Sequence, residues 1–151
     1  MTDVAAGAST AVELKYSTGR LDVEQDGETY ALKDHAATDL ARLGFVQDVR
    51  RLELSAAPGR NGIALLLSDV AGLWQPPASE PSTRDRAFRL HEGRELSGRL
   101  VRGDGDSASN DVVLDGSYAL HWRDFSRFDA PRGTFRYLAV EVPAPAAVTG
   151  A

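Results

Sequence analysis

Hydrophobic and polar residues alternate in the first part of the chain with the period of a β-strand. The segment Ala11–Ser17 reads Ala-Val-Glu-Leu-Lys-Tyr-Ser, so apolar side chains alternate with charged ones. Residues 20–32 repeat the alternation on both sides of Gln-Asp-Gly-Glu, a sequence typical of a turn. The pattern therefore predicts a strand over 11–17 and a hairpin over 20–32.

The period then changes to that of a helix. Apolar residues recur at helical spacing as far as Leu52, with Asp34 predicted as the N-cap and a helix end near Leu54. The other side of this helix carries two charge pairs three residues apart, Asp39 with Arg42 and Asp48 with Arg51.

The next segment, Gly62–Asp69, is a short and almost continuous apolar run, which predicts a strand buried on both faces. Strand, helix and buried strand in succession are typical of an α/β sheet.

The rest of the chain is predicted to be rich in β-structure. After a Pro-rich loop over 71–83, short strands are predicted at 88–90 and on both sides of the polar segment 103–111, with clearer strands at 118–122 and 135–142. The predicted fold class is α/β in the wider sense of α+β, with a mixed central sheet, a long flanking helix and a β-rich C-terminal half. A single domain is expected over 11–142, with flexible ends over 1–10 and 143–151.

Composition narrows the class of protein. The 151 residues match the size of one domain, and 42% hydrophobic with 26% charged residues is typical of a globular protein. The absence of cysteine excludes disulfides and thiolate metal sites. No apolar run approaches the roughly 20 residues of a membrane span, and residues 1–10 lack the features of a secretory signal. These observations predict a cytoplasmic protein without membrane contact.

The charge balance bears on possible partners. A net charge of −5 argues against general electrostatic attraction to nucleic acid. Six arginines between Arg84 and Arg102 nevertheless outnumber three acidic residues there, so a phosphate-contacting surface stays open as a hypothesis.

Candidate chemistry centres on Glu13 and Lys15. Alternate residues of a strand point to the same face, so the two side chains are expected to lie side by side. A carboxylate there can bind a divalent metal, while the ammonium orients a water or stabilises charge on a phosphate. A second carboxylate would be needed, and Asp3 is the only acidic residue upstream. The alternative is an ordinary solvated strand face.

Several segments carry a resemblance to a known group. Residues 12–16 (Val-Glu-Leu-Lys-Tyr), 30–42 and 45–53 resemble bacterial proteins related to the PD-(D/E)xK, or restriction-endonuclease-like, nuclease superfamily. Residues 88–94, 116–122 and 135–140 look like later blocks of the same group, so the resemblance spans about residues 11–142.

The resemblance implies a core of helix, three strands, helix and strand, with an Asp on the second strand and Glu-x-Lys on the third, beside one or two Mg²⁺ ions. It places Glu13 and Lys15 on the central strand of that core. It makes Asp3 and Glu13 metal ligands and Lys15 the residue that positions the attacking water. Asp39 and Arg42 are possible supporting residues from the helix. The chain would lack the first helix and strand of that core, as in an N-terminally truncated relative.

Three functions stay open at this point. The first is a Mg²⁺-dependent DNA endonuclease that cleaves phosphodiester bonds by attack of a metal-activated water. The second is a catalytically inactive, nuclease-like binding or regulatory protein, whose partner is another protein or a second copy in a homodimer. The third is an unrelated α+β domain in which Glu13 and Lys15 are a plain strand face.

Overall fold

The computed structural model describes residues 7–35, 37–79, 83–103 and 111–147. These residues form eight strands, two α-helices and one 3₁₀ turn. Their order is β1 (Ser9–Ser17), β2 (Leu21–Gln25), β3 (Glu28–Leu32), α1 (Thr38–Ser55), β4 (Arg60–Ser68), α2 (Ala71–Trp74), the 3₁₀ turn (Arg86–Phe88), β5 (Glu95–Leu100), β6 (Val112–Ala119), β7 (Trp122–Arg127) and β8 (Thr134–Val142).

The main sheet is mixed and has four strands in the order β1-β4-β8-β7. Strand β1 runs parallel to β4 in unbroken register from Ser9 opposite Arg60 to Ser17 opposite Ser68, and the other pairs are antiparallel. Two separate hairpins, β2–β3 and β5–β6, complete the β-structure of the described residues. The predicted mixed sheet, long helix and β-rich second half are confirmed.

Helix α1 covers one face of this sheet. Its apolar stripe is fully buried and includes Phe45, Val46 and Val49. On β4 the alternate residues Ala64 and Leu66 are fully buried in the same hydrophobic cluster. The parallel connection β1–α1–β4 places the helix against both strands, as expected for an α/β unit.

The second face of the sheet is less covered than the sequence predicts. Ile63, Leu65 and Leu67 of β4 are only half-buried, whereas an apolar run buried on both faces was expected. Among the described residues, the helical layer lies on one side only, which accounts for the difference.

Glu53, near the end of α1, ties the helix to the second hairpin. Its carboxylate accepts hydrogen bonds from the backbone N–H groups of Asp115 and Gly116 and from the Tyr118 hydroxyl, and it pairs with Arg50. Burial by itself would raise the pKa of Glu53, but these donors outweigh it and hold the pKa below its ordinary value. The partners on β6 lie more than 60 residues away along the chain, so the sequence does not reveal them.

Strand β1 lies at an edge of the sheet and not at its centre, so the sequence-based expectation of a central strand is wrong for the described residues. It also begins at Ser9, inside the segment expected to be flexible. Residues 143–147 are described and have no regular structure, while 1–6 and 148–151 lie outside the described residues.

Three predicted elements also differ locally. The helix begins at Thr38, not at Asp34, because the His35 N–H donates to the carbonyl of Thr18 and holds this segment beside the end of β1. Phe88 lies in the 3₁₀ turn and not in a strand. Residues 118–122 are not one strand, since the N–H of Leu120 donates to Arg94 and turns the chain between β6 and β7.

None of the helices in the described ranges is long and apolar enough to cross a membrane.

Replacement of Phe45 by Ala tests the packing of α1 on the sheet. Phe45 is fully buried, so Phe45→Ala should lower the free energy of unfolding by about 3–5 kcal/mol through lost transfer energy and a cavity. Gln47→Ala, at a partly exposed polar position of the same helix, is the control and should change it by less than about 0.5 kcal/mol. Urea unfolding followed by circular dichroism measures both, and equal effects would contradict this packing.

Glu53→Gln tests the carboxylate that ties α1 to β6. A group whose pKa is lowered on folding stabilises the protein above its ordinary value, here 4.5, and this stabilisation is lost as the pH falls through the folded value. The wild type should therefore lose stability below about pH 4.5 more steeply than Glu53→Gln. Urea titrations between neutral and acidic pH give the comparison, and parallel curves would refute the role of Glu53.

Candidate functional site

Glu13 and Lys15 lie side by side on β1, on the face that α1 covers. Both are half-buried, while their neighbours Val12, Leu14 and Tyr16 point to the other face and are exposed. The predicted placement of the two charged side chains on one strand face is therefore observed. Both side chains meet charged residues of α1.

Four charges form an alternating network between the strand and the helix. Lys15 Nζ lies 3.2 Å from Oδ2 of Asp48, and the guanidinium of Arg51 binds the other oxygen of Asp48. Nε of Arg51 also donates to Oε1 of Glu13 at 3.3 Å. The side chain of Asp48 is only 3% exposed, so the network neutralises a buried carboxylate.

Local geometry explains why these four residues meet. Glu13 and Lys15 are two apart on a strand, about 7 Å along its axis, and Asp48 and Arg51 are three apart on a helix, about 4.5 Å along its axis. The charged side chains are long enough to bridge the difference between the spacing on the strand and the spacing on the helix. The predicted three-apart pair of Asp48 with Arg51 is confirmed, although Asp48 lies inside the protein and not on the outer side of the helix.

Gly44 makes room for the Lys15 side chain. A Cβ at position 44 would lie 3.0 Å from Lys15 Nζ and 3.2 Å from its Cε, which is tighter than ordinary contacts. A glycine in a helix interior costs stability, so its presence here is explained by the close approach of the lysine. The sequence alone does not show this relation, because it depends on the register of α1 against β1.

The described residues do not fit a Mg²⁺ site at this position. A divalent cation needs several oxygen ligands, but the guanidinium of Arg51 already bridges the carboxylates of Glu13 and Asp48. Within the described ranges, no three His, Asp or Glu side chains come together in a way that could hold a metal ion. Asp3, the expected first ligand, lies outside the described residues.

Asp39 and Arg42, expected as supporting residues, have partners elsewhere and do not pair with each other. Asp39 binds Arg102 at 2.8 Å, and Arg42 binds Asp85 at 2.5 Å and the carbonyl of Gly72 at 2.8 Å. Burial by itself would raise the pKa of Asp85, but the bond from Arg42 and a second one from Thr83 lower it. Arg42 thus anchors the start of the 3₁₀ turn to α1, and Asp39 anchors the segment that follows β5.

A cavity of about 400 Å³ lies beside this second ion pair, and sequence reasoning did not find it. Arg42, Asp85, Arg89 and His91 are among its lining residues. The lining residues come from α1, from α2 with the loop after it, and from the segment 83–91, and no sequence pattern connects them.

Several arginines of the segment 84–102 are held by partners within the protein. Arg99 pairs with Asp111 and Arg102 with Asp39, while Arg94 donates to the carbonyl of Ala87. Guanidinium groups held in this way contribute little to a positive surface. Three of the six arginines in this segment thus make structural contacts.

Comparison of the chain with protein-family models, with curated proteins and with solved structures finds no match.

The network around Asp48 predicts a non-additive response to mutation. Lys15→Met alone should lower the free energy of unfolding by at most about 1 kcal/mol, because Arg51 still neutralises Asp48. Lys15→Met with Arg51→Met leaves a buried charge without a partner and should lower it by about 3–5 kcal/mol. Adding Asp48→Asn to the double variant should restore most of the loss, since it removes that charge.

Urea unfolding at neutral pH measures these proteins together with the single variant Arg51→Met, whose effect the test of additivity requires. Additive effects, or a triple variant no more stable than the double one, would show that the buried carboxylate is not what the two cations stabilise.

Proposed function

We propose that this chain is a non-catalytic protein with a nuclease-like α/β core, which acts by binding and not by cleaving phosphodiester bonds. The observation that carries the proposal is the position of the Arg51 guanidinium, which binds both Glu13 and Asp48. A cation of the protein itself takes the place between the carboxylates that a catalytic metal would need.

The state of Lys15 supports the same conclusion. A catalytic lysine has to direct its ammonium at a water or a phosphate. The ammonium of Lys15 instead contacts the buried carboxylate of Asp48, on the inner side of the sheet. Asp48 neutralises the charge of Lys15, and this ion pair stabilises the contact between β1 and α1.

The overall charge also favours a binding protein whose partner is not DNA. The net charge is −5, and several arginines of the segment 84–102 are held by acidic side chains or backbone carbonyls. Such a surface has little electrostatic attraction for a phosphate backbone.

One observation favours the second candidate, a Mg²⁺-dependent DNA endonuclease. Glu13 and Lys15 share a strand face, the helix packs against that strand, and the next strand is parallel and adjacent to it. The nuclease resemblance implies this succession of Glu-x-Lys strand, helix and strand. In that function Asp3 would complete the metal site with Glu13, and Arg51 would have to leave Glu13.

Metal binding and plasmid nicking separate the two functions. For a non-catalytic protein, calorimetric titration with Mg²⁺ or Mn²⁺ should give no saturable heat, and supercoiled plasmid should stay intact with either ion, because Arg51 holds the two carboxylates. The same assays on Glu13→Gln, and on Glu141→Gln as an exposed carboxylate of the same sheet, should give the wild-type result. Nicking by the wild type that Glu13→Gln abolishes and Glu141→Gln retains would establish the nuclease.

A further inference from the structure

The exposed apolar side chains of the described residues are concentrated along one edge of the sheet. Eight large hydrophobic side chains are exposed, and five of them lie on β1 or on the part of α1 beside it. These five are Val12, Leu14, Tyr16, Leu40 and Leu54. Val12, Leu14 and Tyr16 point away from α1, while Leu40 and Leu54 lie on it, so the five side chains border this edge from its two sides. Exposed apolar side chains gathered in one place are typical of a surface that binds another protein.

Among the described residues, no strand pairs with the outer edge of β1. The N–H of Ser9 donates to the carbonyl of Gly59 at 2.9 Å, at the start of the pairing between β1 and β4. Because backbone groups alternate between the two sides of a strand, the odd-numbered residues direct their N–H and C=O groups to β4. The even-numbered residues, Leu14 among them, direct theirs to the edge, where no strand of the described residues lies.

The two edges of the sheet differ in how they resist pairing with another strand. At the far edge, β7 has a register shift between Asp124 and Ser126 and carries three charged side chains, both of which discourage association. Strand β1 has nine residues in regular register and contains no proline. It therefore lacks a bulge and a proline, two features that normally protect an edge strand, and its two charged side chains, Glu13 and Lys15, are paired with Arg51 and Asp48 of α1.

We propose that β1 pairs antiparallel with β1 of a second copy of this chain, across a two-fold axis at Leu14. A two-fold axis requires the same strand from both copies, and an edge strand with open backbone groups satisfies that requirement. The even-numbered residues exchange hydrogen bonds across the axis, and the main sheets of both copies become one continuous sheet.

The backbone of β1 can pair with its copy about several positions of the two-fold axis, and the charges of β1 favour the position at Leu14. With the axis at Leu14, Glu13 of each copy lies directly opposite Lys15 of the other. An axis at Glu13 or at Lys15 would place like charges opposite each other, which is unfavourable. An axis at Val12 would place Ala11 and Ser9 opposite the two charges, without any attraction.

The same axis brings the exposed leucines of α1 together. Leu40 lines a cleft with Tyr16 at one end of β1, and Leu54 lines a cleft with Val12 at the other end. A two-fold rotation about Leu14 exchanges the two ends. The Leu40 end of one helix then lies along the Leu54 end of the other, so apolar surface is buried beside the paired strands.

Gel filtration with light scattering tests the association. The wild type should have the mass of a dimer at micromolar concentrations, and Leu14→Asp should have the mass of a monomer, because it places two carboxylates at the axis. Phe125→Asp is the matched control, since Phe125 is 63% exposed on β7 and Leu14 is 71% exposed on β1. The control should remain a dimer. A monomeric wild type, or a dimer that Phe125→Asp disrupts and Leu14→Asp does not, would overturn the proposal.

Cysteine cross-linking tests the register of the two β1 strands. The chain contains no cysteine of its own, so one introduced cysteine is the only thiol of each copy. Directly paired residues across the axis are about 5.5 Å apart at Cα, within the range of a disulfide. Leu14→Cys should therefore form a disulfide-linked dimer on mild oxidation. Val12→Cys should not, because two copies of residue 12 would be about 14 Å apart.

A mixture of Val12→Cys and Tyr16→Cys proteins should again form cross-linked dimers, since these residues face each other. Cross-linking by Val12→Cys alone, without cross-linking by Leu14→Cys, would overturn the proposed register. Circular dichroism of each variant shows whether it has folded. The dimer does not depend on the proposed function, because the strand edge is open whether or not Glu13 binds a metal.

Discussion

The packing of α1 on one face of the main sheet is the constraint on which the rest of this structure depends. It buries Phe45, Val46 and Val49 against β4, and it holds the helix beside β1 so that Asp48 and Arg51 meet Lys15 and Glu13. The buried carboxylate of Asp48 is tolerable only because two cations neutralise it. The same packing leaves the edge of β1 and the opposite face of the sheet uncovered among the described residues.

Periodicity predicts much of this fold from the sequence. The alternation around Glu13, the helical spacing up to Leu52 and the apolar run after Gly62 correspond to β1, α1 and β4, because each segment has one strong period. Elements set by distant contacts are not predictable in this way. The helix begins late because the N–H of His35 donates to the carbonyl of Thr18, just after β1. Phe88 is fully buried in a 3₁₀ turn that contacts α1, and a contact between distant segments leaves no local pattern in the sequence.

In the candidate site, too, local patterns are predictable from the sequence and contacts between distant residues are not. The sequence predicts that Glu13 and Lys15 share a strand face, and they do. It also predicts the pairing of Asp48 with Arg51, but not that this pair faces the strand, which depends on the rotation of α1. A Glu-x-Lys pattern has the same appearance in a metal site and in an ion-pair network. Only the partners of the carboxylate distinguish the two, and here the nearest partner of Glu13 is a guanidinium.

The position of the Arg51 side chain in the presence of metal decides between the two functions. A crystal structure of the protein grown with Mn²⁺, with anomalous diffraction data collected at the manganese edge, observes this directly. We expect the guanidinium of Arg51 between Glu13 and Asp48, and no anomalous peak within bonding distance of either carboxylate. A Mn²⁺ ion bound to Glu13, with Arg51 displaced from it, would contradict the proposed non-catalytic function and favour the Mg²⁺-dependent endonuclease.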